Sequence, residues 1–302
     1  MSLIYNKNST LFKFFSIFSV VRIYNLCLII IAQYLTSIYI LSDKKILDVV
    51  FDYKLFLIII CSSISIASGY IINNFYDEKK DIINKPIKYK IDGVIKNSTK
   101  LYFYFSLNFL VIIVSYFLID SIKAVIFFSI YIFFLWLYSH KLKRILFLSN
   151  LFYSLLTITP FFAILIYFKN FDFLKDEKIS IIIAYALFLF FILLLKDFTK
   201  DLKNLKGDFI LNYKTIPVVF GESFAKVIIT MICFINLLLI ANLYMNFSNG
   251  FMNLYYIISF LLLIVFIVRL YSSNRNYEYL SLHNILRFII TLGVFSIILI
   301  GI

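Results

Sequence analysis

Nine stretches of this chain are apolar for long enough to cross a bilayer, at roughly 20 residues each, and that property rules out an ordinary water-soluble core. They run over 15–41, 54–75, 101–119, 122–139, 146–168, 179–196, 224–245, 252–271 and 283–302. In lipid every backbone amide must find its partner within the chain, so spans of this kind are helices. The expected fold class is all-α, a polytopic membrane bundle of nine transmembrane helices forming a single domain over 1–302. Only Asp120 and Ser121 separate the third span from the fourth, which predicts a tight hairpin.

Composition enters through charge. The 302 residues are 63% hydrophobic and carry a net charge of +13. A basic balance of that size raises nucleic acid as a partner, but the lysines and arginines lie in short gaps between apolar runs and no separate basic domain exists to lie on a duplex. Their distribution follows membrane topology instead. Placing the N-terminus in the cytoplasm puts most of the 29 Lys and Arg residues inside, with Lys79, Lys80, Lys85, Lys88, Lys90, Lys96 and Lys100 after the second span and Lys196, Lys200, Lys203, Lys206 and Lys214 after the sixth. The expected location is therefore an integral membrane protein of the bacterial-type inner or plasma membrane with its site on the cytoplasmic side. Polar stretches over 76–100 and 197–223 contain Pro86, Gly93, Gly207, Pro217 and Gly221, and read as two long cytoplasmic cap loops. Cys27, Cys61 and Cys233 fall inside spans without paired spacing, so neither a disulfide framework nor a thiolate metal site is indicated. The first apolar run is too long for a cleavable signal peptide and lacks a small-residue cleavage pattern.

Two acidic stretches carry the chemistry. In Ser68–Pro86 an apolar helix runs directly into carboxylates, and Asn73, Asp77 and Asp81 stand four residues apart, stacked on one helical face. A solvated helix end balanced by Lys79 and Lys80 is the plain alternative. Against it, Asn73 and Asn74 lie where a spanning helix is still apolar, and polar groups at that depth are costly unless they face a partner or water. The second stretch follows the sixth span, where Asp197, Asp201 and Asp208 recur at spacings of four and seven with Lys200, Lys203 and Lys206 between them. Oxygen ligands of this kind suit a hard divalent cation such as Mg2+ bridging protein to substrate phosphate, and the lysines suit phosphate oxygens. His140 and His283 have no partner at metal-ligand spacing and read as interfacial residues. Arg22 and Asn25 open the first span, where snorkelling to headgroups and a substrate contact are both open. There is no Walker-type phosphate loop and no nucleophile elbow.

These residues resemble the UbiA-type intramembrane prenyltransferases. That family's first motif reads approximately NDxxDxxxDxxNxPxRP, and this chain has Asn73, Asn74, Asp77, Asp81, Asn84 and Pro86, with Lys88 at the arginine position. Its second, KDxxDxxGD followed by KTLPxxxG, is matched by Lys200-Asp201, Gly207-Asp208, Lys214-Thr215-Ile216-Pro217 and Gly221. Arg22-Ile23-Tyr24-Asn25 looks like the RPxN opening, and Tyr138-Ser139 with Lys143 and Asn150 looks like the segment joining spans four and five. Elsewhere the chain departs from the pattern. Asn204 replaces the central aspartate of the second motif, Asn74 an aspartate of the first, Tyr89 a proline, and Asp92-Gly93-Val94 a Ser-Gly-Arg.

The resemblance implies transfer of an isoprenyl chain from a polyprenyl diphosphate to an acceptor. Mg2+ would be held by Asn73, Asp77, Asp81, Asp201 and Asp208, with those four aspartates catalytic. Lys88, Lys143, Lys200 and Lys214 would bind the diphosphate, and Arg22, Asn25 and Asn150 would contact the acceptor. The second motif looks closest to the branch that prenylates geranylgeranylglyceryl phosphate to make ether lipids. An aromatic acceptor on a quinone pathway is the alternative within the family; a cation-coupled transporter or an idle lipid-binding relative are alternatives outside its chemistry. Membrane lipids are expected partners, and neither nucleic acid nor an obligate protein partner is expected.

Overall fold

A computed structural model describes residues 10–118, 121–169, 179–246 and 250–301. Asp120, Lys7, Lys175 and Lys178 lie outside the described residues. The described chain is helical, and nine of its helices are long and apolar enough to cross a membrane. Contacts divide it into two compact units, one comprising Met1–Ile30 and Tyr53–Leu142, the other Ile31–Asp52 and Lys143–Ile302.

In the first unit α1 (Thr10–Val21) is followed by α2 (Ile23–Thr36), which leads on into the second unit. The expected first span, 15–41, is therefore not one helix. Arg22 sits between the two with φ 52, a left-handed conformation that ends α1. After the short α3 (Ile46–Val50), which belongs to the second unit, the first resumes with α4 (Tyr53–Tyr76), α5 (Glu78–Asn84), α6 (Pro86–Asp92), α7 (Asn97–Tyr116) and α8 (Ser121–His140). Helices α7 and α8 pack on α4 and on each other, and α1 packs on α4 and α6. Val20, Ile71, Ile72 and Tyr104 form a buried apolar cluster beside the first acidic stretch.

The second unit contains α9 (Leu148–Lys169), α10 (Ile179–Ile210), α11 (Ile216–Asn246), α12 (Met252–Ser272) and α13 (Asn276–Ser296). Helix α10 is its axis, packed by α9, α11 and α13. Its apolar face, including Ile192, Leu195, Phe198 and Leu202, meets Ile229, Leu263, Phe266, Tyr279 and Leu286 in one core. Gln33 donates from Nε2 to the carbonyl of Pro160 at 2.9 Å, fastening the α2 segment to α9.

Both expected cap loops are mostly helix. Residues 76–100 contain α5 and α6, separated at Lys85, whose extended φ of −144° reflects the restriction Pro86 places on its predecessor. Pro86 itself stands at the first position of α6, where a missing N–H costs nothing. In 197–223, α10 continues through Ile210, because Lys, Leu and Asp tolerate helix and Asp197, Phe198, Asp201, Leu202, Asn204 and Asp208 keep one face buried. Its 32 residues span about 48 Å, well beyond the roughly 30 Å hydrocarbon layer. The seventh span begins early, at Ile216, and bends at Gly221, whose φ of 86° and ψ of 166° only glycine adopts readily.

Candidate active site

The first acidic column straddles the junction of α4 and α5. Asp77 takes φ −88° and ψ 4°, ending α4 one residue before α5 begins, yet the amides of Asp77 and Asp81 still reach the carbonyls of Asn73 and Asp77 at 2.9 and 2.8 Å. The column therefore keeps helical register across the break. Asn73 donates from Nδ2 to Asp77 Oδ2 at 2.9 Å. Asp81 is buried and accepts from Lys85 Nζ at 3.0 Å. Glu78 accepts from Asn97 at 2.8 Å, fixing the start of α7. Lys88, expected at the diphosphate, donates to the Ser19 carbonyl at 3.3 Å and pairs with Asp92. Arg22 lies over the Tyr70 ring at 4.8 Å, so its guanidinium is stacked as well as charged. Asn25 follows it in the first turn of α2, half-exposed. His140 stacks on Trp136 with Tyr76 at 5.1 Å, the surroundings of an interfacial residue.

The second column lies on α10. Asp197, Asp201, Asn204 and Asp208 are all buried, at 2%, 5%, 1% and 0% exposure, on a single face. Asn150, near the start of α9, donates from one Nδ2 to Asp197 Oδ2 at 3.0 Å and to Asp201 Oδ2 at 2.8 Å. Ser149 donates to Asn150 Oδ1, which fixes the amide with its NH2 toward the acids. The sequence pattern includes Asp197 in the column but not among the ligands, and it places Asn150 with the acceptor. The structure joins both to Asp201. The available signal for Asp197 was its four-residue spacing from Asp201. Lys200 Nζ meets Asp197 Oδ1 at 2.6 Å, and its ammonium lies 5.1 Å from the Tyr153 ring centroid.

Behind this column the second motif's tail is locked down. Tyr213 donates its amide to the Asp208 carbonyl at 2.9 Å and packs its ring under Arg144 at 5.3 Å. The Lys214 amide donates to the Arg144 carbonyl at 3.2 Å. Lys143, next to Arg144, is buried while Lys214 is exposed, so these two expected phosphate ligands present their ammoniums in different surroundings.

The arrangement suits a divalent cation. Two carboxylate oxygens on one amide nitrogen, at 3.0 and 2.8 Å, are at most 5.8 Å apart. At that separation two negative charges repel by about 3 kcal/mol at an effective dielectric constant near 20. Lys200 offsets part of this, and a cation between them would offset more. Among the described residues no three His, Cys, Asp or Glu side chains form a ready-made metal cage. Mg2+ commonly takes one or two protein carboxylates and completes its shell with water and substrate phosphates.

Buried carboxylates on helices long and apolar enough to cross a membrane define an integral membrane protein with polar sites inside its bundle, a class that includes the intramembrane prenyltransferases. The comparison with known proteins is specific. The chain belongs to the UbiA prenyltransferase family, whose model matches residues 31–292. Digeranylgeranylglyceryl phosphate synthase of Methanosphaera stadtmanae is 28% identical over 239 residues, covering 79% of this chain and 83% of the relative. The enzyme of that name from Sulfurisphaera tokodaii is 28% identical over 261 residues, covering 86% and 88%. A solved UbiA homolog from Archaeoglobus fulgidus bound to GPP and Mg2+ has the same fold, with a TM-score of 0.64 at 14% identity over 93% of this chain and 99% of that one. A solved structure concerned with digeranylgeranylglyceryl phosphate synthase in membranes gives 0.66 at 21% identity over 95% and 98%.

Proposed function

We propose that this prenyltransferase moves an isoprenyl group from a polyprenyl diphosphate to a prenylglyceryl phosphate, building an ether lipid at the cytoplasmic side of the membrane. The carrying observation is the buried pair Asp197 and Asp201 on the Asn150 amide, within a family whose relatives at this length are named for prenylating a glyceryl phosphate. Asn73, Asp77, Asp81, Asp201 and Asp208 are the proposed Mg2+ ligands, with Asp197 added from the structure. Bound Mg2+ would neutralise the charge that develops on the departing diphosphate.

The protein's own groups then divide the work. Asn150 holds two carboxylates at a fixed spacing, so the ligands need little reorganisation when charge develops. Asn73 does the same for Asp77. Lys88, Lys143, Lys200 and Lys214 supply positive charge for phosphate oxygens. Apolar helix faces lined by Phe, Leu and Ile receive the prenyl tail and keep water from the allylic cation. Arg22 and Asn25 are offered to the acceptor's polar end.

The test uses purified protein in detergent or vesicles with Mg2+, labelled geranylgeranyl diphosphate and geranylgeranylglyceryl phosphate. Release of pyrophosphate with appearance of a doubly prenylated product is expected, and chelation abolishes it. Turnover with an aromatic acceptor but none with the glyceryl phosphate would overturn the acceptor assignment.

A further inference from the structure

Asp92 is among the most tightly held carboxylates of the first unit, and none of the chemistry above uses it. It ends α6 at 2% exposure. Ser19 Oγ donates to its Oδ1 at 2.6 Å, Asn74 Nδ2 donates to its Oδ2 at 2.7 Å, and Lys88 Nζ pairs with the same Oδ2. One carboxylate thus ties α1, α4 and α6 together. One residue earlier, the carbonyl of Ile91 accepts from Ser16 Oγ at 2.8 Å, so α1 is registered on α6 at two points. A buried charge held by this many donors tolerates little displacement, because losing any one donor leaves the carboxylate under-satisfied.

Two positions where the first motif departs from its family pattern meet here. Asn74 stands where the pattern has an aspartate, and Asp92 stands where it has a serine. Their side chains touch, Asn74 donating to the carboxylate of Asp92. Lys88 shows what this carboxylate can do. An ammonium has three donors, and two of those on Lys88 go to Asp92 and to the Ser19 carbonyl. Fixing two fixes the direction of the third, and the side chain remains 27% exposed and reachable by an anion.

We propose that Asp92 is a positioning residue for diphosphate binding: it orients the Lys88 ammonium toward the leaving phosphates and fixes Asn74 next to Asn73. The inference rests on the reading of Lys88 as a diphosphate ligand. Asp92 touches no substrate; it acts through Lys88, and that distinguishes it from a purely structural anchor.

The experiment measures inhibition by inorganic pyrophosphate and the KM for the prenyl diphosphate in Asp92→Asn, Lys88→Met and the double variant, with Ser16→Ala as the control that loosens α1 without touching Asp92. Losing one charge-assisted contact to phosphate corresponds to about tenfold in both constants. Asp92→Asn is expected to raise both by that amount with kcat little changed, the double variant is expected to be no worse than Lys88→Met, and Ser16→Ala is expected to leave both constants as they are. Unchanged pyrophosphate inhibition in folded Asp92→Asn, or effects that multiply in the double variant, would overturn the proposal. If Asp92→Asn does not fold, the reciprocal exchange N74D/D92N restores one carboxylate facing one amide and is expected to recover pyrophosphate inhibition; a folded exchange variant that does not recover it would overturn the proposal equally. A wild-type protein without transfer activity would defeat the transfer reading alone. Asp92 is then judged by calorimetric binding of pyrophosphate with Mg2+, where the same weakening is expected and unchanged affinity overturns it.

Discussion

The first acidic column is assembled across a helix break, the second along one unbroken helix, and the difference lies in what each uses to hold its charges. In the first unit Asp77 and Asp81 are matched with Asn73 and Lys85 within a turn of themselves, and Asp81 and Asp77 keep their place only because the break at Asp77 preserves helical register. Asp77 is held by a neutral amide and Asp81 by a cation, each from its own segment. In the second unit Asp197, Asp201 and Asp208 share a buried face of α10, and an amide from another helix, Asn150 of α9, bridges Asp197 and Asp201. There two carboxylates share one neutral donor, and Lys200 pairs with Asp197. On the proposal that both columns bind Mg2+, the adjacent carboxylates of the second have the more mutual repulsion for an ion to relieve.

The largest effect expected from this contrast is at the second column. Asp201→Ala should lower the rate of pyrophosphate release by about a hundredfold or more, the scale of removing a preorganised electrostatic group, and single-turnover assays would read it. Next, Asn150→Leu leaves two carboxylates side by side without their shared donor; Mg2+ titration of activity should show an affinity about ten- to a hundredfold weaker, as when a partner supporting a metal ligand is lost. An Asn150 variant with unaltered Mg2+ dependence would erase the distinction between the columns.

A subtler change sharpens it. Asn204→Asp adds a fourth carboxylate to the buried face of α10. Without metal the melting temperature should fall, since like charges at these distances repel by about 1–3 kcal/mol. The upward shift on adding Mg2+ should grow, because an ion bound more tightly to the folded state stabilises it more. The smallest effect belongs to the first column's local pair. Lys85 is 29% exposed but Asp81 only 8%, so Lys85→Met strips a buried carboxylate of its cation and should lower stability by about 1 kcal/mol, the low end of that penalty, read in a denaturation curve.

The spans were legible from hydropathy because lipid forbids any other answer for runs of that length. Their ends were not. Hydropathy reads Lys, Asp and Asn as leaving the helix, whereas α10 keeps them helical by burying one polar face against α9. The break at Arg22 was hidden for the opposite reason: its neighbours are apolar on both sides, and only the backbone conformation separates α1 from α2. Spacing alone placed Asp197 on the face of Asp201 and Asp208. What it could not supply was Asn150, since the contact crosses 47 to 51 residues of chain between two helices. Asp92 was visible as a departure from the motif, and its partners Ser19, Asn74 and Lys88 became evident only with the three helices in place.

The central claim is that carboxylates of both columns are needed for one magnesium-dependent prenyl transfer. The direct measurement is pyrophosphate release from labelled geranylgeranyl diphosphate in the presence of the glyceryl phosphate acceptor, comparing wild type with Asp77→Asn and with Asp201→Asn. Release by the wild type and its loss in each variant is the predicted result; a wild-type rate in either folded variant would contradict it.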